Sequence, residues 1–151
     1  MSELKSKLQS DLNDAIKSRN TVVAETIRMV LAAITNEEVA GKEKKELSDA
    51  EVITVLTREA KKRREAAEAF EQGGRADRAA SERAEGEVIA GYLPEQLSES
   101  ELNNLIAETI KAVGASGPAD MGKVMGALKA KVAGKADGAF VSSLVKAALN
   151  K

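Results

Sequence analysis

Carboxylates are the only side chains available for acid–base work, because the 151-residue sequence has no histidine and no cysteine. That removes the commonest general base, thiolate metal sites, disulfides and the serine–histidine–aspartate triad. Glu65 and Glu68, and likewise Glu82 and Glu85, stand three residues apart and would project from one side of a helix. A hydrolytic carboxylate pair needs a cleft and a raised pKa, whereas charged helix repeats of this kind ordinarily form solvated surface. Ser142 and Lys146, with Ser143 alongside, have the spacing of a serine–lysine dyad, but no neighbouring segment supplies an oxyanion hole. The expectation is therefore a non-enzyme with no catalytic residue, no metal and no cofactor.

Cations are the other chemical resource. Residues 58–64 read Arg-Glu-Ala-Lys-Lys-Arg-Arg. At about 100° per residue, Arg58, Lys61 and Arg64 form one candidate patch while Lys62 points elsewhere. The competing reading pairs these cations with Glu59, Glu65 and Glu68 along the same helix. A second candidate is Asp120-Met121-Gly122-Lys123-Val124-Met125-Gly126. A glycine inside a helix costs roughly 1 kcal/mol against alanine, and Gly122 and Gly126 together leave a bare stripe. Such a stripe serves close helix packing or the approach of an RNA backbone, with Lys123, Lys129, Lys131 and Lys135 as phosphate contacts. Gly134-Lys135-Ala136-Asp137-Gly138 lacks the order of a phosphate-binding loop and reads as a turn.

The elements that position these residues are helices throughout. Leu4, Leu8, Leu12 and Ile16 predict one face of a helix reaching about Arg19; Val23, Ile27, Val30, Leu31 and Ile34 predict the next, capped by Asn20 or Thr21. Residues 41–46 read as an exposed loop. Ser48 with Glu51 is a capping box for a long helix with Val52, Ile53, Leu56, Ala60, Ala67 and Phe70 inward, closed by Gly73-Gly74. An alanine-rich helix over 75–91 suits close approach to a neighbour and must stop before Leu93-Pro94. Ser98 with Glu101 opens a helix closed by Gly114, and Gly117-Pro118 opens another closed by Gly134. Asp137 caps the last helix, with Phe140, Val141, Leu144, Val145 and Leu149 on its inner side. No alternating strand pattern and no fixed-period repeat is present.

Charge divides the chain near Pro94. Residues 1–96 carry 16 Lys+Arg against 19 Asp+Glu, a net of −3, while residues 97–151 carry 7 against 5, a net of +2. The predicted organisation is all-α, with a multi-helix lobe over 1–96 and a basic three-helix tail lobe over 97–151. Only Phe70, Tyr92 and Phe140 are aromatic, which argues against base-stacking folds. No apolar run approaches the roughly 20 residues of a membrane span, and Met1–Ser10 lacks the apolar core of a signal peptide. No membrane partner and a soluble, cytoplasmic protein are expected.

Four segments, Thr26–Ile34, Tyr92–Ser98, Asp120–Gly126 and Gly134–Gly138, occur in an order and spacing that closely resemble the YqeY-like proteins. These are small relatives of the C-terminal region of the B subunit of the glutamine-dependent amidotransferase that amidates mischarged Glu-tRNA or Asp-tRNA. The resemblance covers essentially the whole chain. It implies a helical lobe followed by a small helical tail that helps hold tRNA, and an association with carbon–nitrogen ligase chemistry using glutamine, without the catalytic parts. Transferred residue by residue, the tail positions are Gly122, Lys123, Gly126 and Lys135. The leading expectation is a non-catalytic tRNA- or RNA-binding accessory protein, its binding weak and salt-sensitive because the chain's net charge is −1. The alternatives are a module docking on an amidotransferase or aminoacyl-tRNA synthetase, and an amidotransferase or amidase in its own right.

Overall fold

A computed structural model describes residues 2–150, so Met1 and Lys151, both included in the predicted lobes, lie outside the description. The described residues form seven α-helices and no strand. They are α1 (Glu3–Lys17), α2 (Thr21–Glu38), α3 (Asp49–Gln72), α4 (Ala76–Ala90), α5 (Glu99–Val113), α6 (Met121–Val132) and α7 (Gly138–Leu149), with a 3₁₀ turn at Pro118–Asp120. The all-α fold is thus as the hydrophobic spacing indicates. Two compact units are formed, Met1–Pro94 and Glu95–Lys151. Glu95 and Gln96, which charge counting groups with the first lobe, fall in the second unit, where the Gln96 side-chain amide donates to Gly134 O at 2.7 Å.

In the first unit, aliphatic stripes of α1, α2, α3 and α4 meet around Leu8, Ile27, Val30, Ile34, Val52, Leu56 and Ile89. The α1 stripe is not the one fourfold spacing suggests: Ile16 is 47% exposed and Ala15 is buried. Each four-residue step advances about 40° around a helix, so by Ile16 the row has rotated out of the core and Ala15 lies under Leu4 and Leu8. The long α3 is capped by Ser48 Oγ, which accepts from Glu51 N at 3.2 Å. It closes in a Schellman turn, with Arg75 N donating to Phe70 O at 2.7 Å and Gly74 in the left-handed region at φ 76°. Past the core, α4 lies against α3 through small residues: Ala67 and Ala79 are buried, and a Cβ built on Gly86 would come 3.7 Å from Arg63 Cβ.

The loop before α3 is built on a buried carboxylate. Glu38 is 3% exposed, yet Lys5 Nζ donates to its Oε1 at 2.8 Å, its carboxylate also accepts from the Leu47 backbone, and Lys45 N donates to its carbonyl at 3.0 Å. This arrangement carries Leu47 into the core from a segment whose composition reads as exposed. Midway along α1, Tyr92 Oη donates to Asp11 Oδ2 at 2.5 Å, and Lys7 Nζ reaches the same oxygen at 2.8 Å. The hydrogen bond from Lys7, then that from Tyr92, holds the Asp11 carboxyl below the usual range, while burial and Asp11 push the Tyr92 phenol up.

In the second unit, Leu102 and Ile106 of α5, Val124, Leu128 and Val132 of α6, and Val141, Val145 and Leu149 of α7 form the core. Ser98 Oγ caps α5 by accepting from Glu101 N, Gly114 ends it at φ 68°, and Asp137 caps α7 by accepting from Phe140 N. Phe140 itself is 40% exposed rather than inward, because the α7 core face runs through Val141 one position later. Gly117-Pro118 opens the 3₁₀ turn and not α6 directly. The Asp120 carboxylate accepts from Ser116 N at 2.9 Å, and Asp120 N donates to Gly117 O.

Glu38 loses more than a surface glutamate would if its partner is removed. Glu38→Ala should destabilise the first unit by about 2–4 kcal/mol, since it strands Lys5 and frees the Leu47 loop; chemical denaturation with hydrogen exchange at 39–47 measures it. The hydrogen bond from Lys5 lowers the folded-state pKa of Glu38. Its contribution is therefore complete above the unfolded glutamate value of about 4.3 and is lost as pH falls through the lower folded value. Glu38→Gln should flatten that acid limb; an unchanged limb would contradict the assignment.

Candidate nucleic-acid interface

On α6, about 100° per residue places Val124, Leu128 and Val132 inward. Gly122, Gly126 and Lys129 then fall within about 60° of one another on the outer side, with Lys123 about 60° further round. All four are exposed. A Cβ built on Gly122 or Gly126 would meet nothing within 4 Å, so neither glycine is there to admit a neighbouring helix among the described residues. The stripe is bare toward solvent. Lys131 is exposed on the other flank of the helix.

Lys135 follows Gly134, which adopts φ 73° to close α6. The backbone around it is well tied: Lys135 N donates to Val132 O and Leu97 N donates to Lys135 O, both at 2.9 Å. Its side chain is exposed. Among the described residues, Lys129, Lys131 and Lys135 make no ion pair within 4 Å, and α6 contains no acidic residue. Lys123 faces the Asp120 charge, although the bonds from Ser116 are the main reason that carboxyl sits below its usual range.

The basic run of α3 has a different environment. Arg58 Nη1 lies 3.4 Å from Glu37 Oε2, Lys61 Nζ is 4.0 Å from Glu65, and Lys62 is 3.3 Å from the buried Glu59. Arg63 lies between Glu82 and Glu85 of α4, 3.3 Å from each. The two carboxylates that share a helix face are thus used to hold a guanidinium. Arg64 is exposed. Arg58, Lys61 and Arg64 belong to the first unit and the tail lysines to the second. Among the described residues no side-chain hydrogen bond joins Ser142 and Lys146; the neighbouring Ser143 hydroxyl donates to Phe140 O at 2.7 Å.

Two clusters escaped the sequence. Tyr92 and Asp11 are 81 positions apart, and Lys7 lies 5.2 Å from the Tyr92 ring centre, a cation–π contact. A groove at the α1–α2 turn is lined by Arg19 and Arg28. The available signal was Arg28, the single charged residue within the otherwise apolar and small Thr26–Ile34 segment.

The bare stripe yields a stability prediction. Gly126→Ala should stabilise the tail unit by about 0.5–1 kcal/mol, and Gly122→Ala by less because it lies in the first turn. Thermal unfolding checks this, and a loss of stability would mean the glycines answer a packing need.

Comparison with known proteins gives consistent matches. The chain is 29% identical over 144 residues to "Altered inheritance of mitochondria protein 41, mitochondrial" of Pyrenophora tritici-repentis, covering 93% of this chain and 77% of that protein. An uncharacterised protein of Schizosaccharomyces pombe is 34% identical over 96 residues, 63% of this chain and 76% of the relative. The Clavispora lusitaniae protein of the same mitochondrial name is 36% identical over 90 residues, 60% of this chain and 51% of the relative. None of these names is enzymatic. The mitochondrial names overturn the cytoplasmic expectation. That expectation rested on missing apolar segments, whereas a compartment is addressed by signals that the packing of a helical body does not encode. No helix among the described residues is long and apolar enough to cross a membrane. The family model for YqeY-like proteins matches residues 5–149, and the chain belongs to that family.

Proposed function

We propose that this protein is a non-catalytic RNA-binding accessory factor, with tRNA as its first candidate partner, and that the Glu95–Lys151 unit supplies the contact. The observation that carries the reading is the outer face of α6. Two glycines with open space above them are flanked by exposed Lys123 and Lys129, on a helix with no acidic residue within it, the Asp120 charge at its start facing Lys123. A bare helix face admits a phosphodiester backbone closely, and lysine ammonium groups contact phosphates without reading sequence. Lys131 points about 140–180° away from the two glycines, off this face, and Lys135 adds an exposed cation in the turn that follows α6. Recognition of this kind is shape- and charge-based, which suits a unit poor in aromatic residues. The tail-like resemblance to the amidotransferase B subunit supports tRNA over other RNAs. The names of the fungal relatives bring a mitochondrial setting into the proposal.

Binding of total tRNA to the full chain, measured by filter retention across a salt series, tests it. Lys123→Ala with Lys129→Ala should weaken binding about tenfold at low salt and reduce the salt slope by about 1 per lysine. Gly126→Ala should weaken binding while it stabilises the unit. Wild-type affinity in these variants, or no binding at low salt, contradicts the proposal. Capture of an amidotransferase or synthetase that survives nuclease treatment would favour protein docking instead.

A further inference from the structure

The turn between α1 and α2 is closed by an arginine where the chain elsewhere uses glycine. Arg19 sits in the left-handed region at φ 59°, while Gly74, Gly114 and Gly134 occupy such conformations after α3, α5 and α6. Its turn has the Schellman pattern, Arg19 N donating to Ile16 O and Asn20 N to Ala15 O. A side chain with a Cβ is strained there, and strain of this kind is retained where the side chain is needed. Arg19 lines an open groove of about 360 Å³ together with Arg28. Packing explains the apolar residues around Arg28, since Ile27, Val30 and Ile34 are buried, but it does not explain the exposed guanidinium.

Half of the eight arginines are paired among the described residues, and Arg19 and Arg28 belong with Arg64 and Arg78 to the other half. Arg58, Arg63, Arg75 and Arg83 each meet a carboxylate. Among the described residues neither Arg19 nor Arg28 does. Glu25 also lines the groove, leaving its three charged groups at net +1, and Ala15, Ala24 and Ile16 supply an apolar side. A net charge of +1 matches the single negative charge of a phosphodiester better than a phosphate dianion. The apolar side suits the sugar or base beside it. Guanidinium groups are well shaped for phosphate oxygens.

We infer that the Arg19–Arg28 groove is a second RNA contact, taking one phosphodiester of a nucleic-acid strand on the first unit. The inference rests on the RNA reading above and replaces the α3 run as that unit's phosphate site.

The test uses the full chain with labelled total tRNA and a short single-stranded RNA, across salt, beside the Lys123→Ala/Lys129→Ala variant. Arg19→Gly relieves the left-handed strain, so it should fold at least as stably as wild type; Arg28→Gln keeps a polar side chain of similar length. Each should weaken RNA binding about tenfold and lower the salt slope by about 1. Wild-type affinity in both arginine variants, with the lysine variant impaired, overturns the groove and leaves the tail reading intact. No RNA binding by wild type overturns both. Binding to anionic phospholipid vesicles that the arginine variants abolish, with RNA affinity unchanged, assigns the groove to a lipid phosphodiester and overturns the inference.

Discussion

One buried carboxylate ties the first unit together. Glu38 ends α2, receives the Lys5 ammonium from α1, and accepts backbone bonds from the loop that leads to α3. Removing a carboxylate from water is costly, so the site is stable only with its donors in place. Their placement sets where α1 lies on α2 and brings Leu47 into the core. The Asp49 carboxylate at the start of α3 adds to this by accepting from Leu4 N at 3.1 Å. With few aromatic residues to fill volume, the four helices must approach through aliphatic and alanine contacts, and polar ties of this sort fix which approach is used.

The same principle decides which cations are available for binding. In a sequence with 31% charged residues, a cation facing another helix meets a carboxylate, as Arg63 meets Glu82 and Glu85 and Arg83 meets Glu71. In the dense run on α3, Arg58 and Arg63 meet carboxylates of α2 and α4, whereas Lys61 and Lys62 meet glutamates of α3 itself. α6 has no acid of its own, and its exposed lysines stand beside two glycines that no neighbouring side chain covers. Charge density along the sequence is thus a poor guide to free charge. What decides it is whether a carboxylate lies within reach, on a facing helix or one turn away on the same helix.

Much of the fold was legible because its signals are local. Asn20, Ser48, Ser98 and Asp137 cap the helices that follow them, and the stripes of α2, α6 and α7 bury most of the residues their spacing selects. Ile16 and Phe140 depart from their stripes because periodicity fixes a face only to within one neighbouring position. What the sequence could not show are ties between distant segments: Lys5 with Glu38, Asp11 with Tyr92, Arg63 with α4. The candidate site divides in the same way. The bare α6 stripe could be read from two glycines four apart, but its orientation toward solvent depends on where α5 and α7 pack. The groove of Arg19 and Arg28 depends on the turn that joins two helices.

The proposed contact lays RNA along the bare face of α6. Titrating tRNA into isotopically labelled full-length protein and following backbone amide resonances tests this without any substitution. Salt-sensitive shifts are expected at Gly122, Lys123, Gly126 and Lys129, with the amides of buried Leu102 and Val145 little changed. Saturable tRNA binding that leaves the α6 amides unmoved would contradict it.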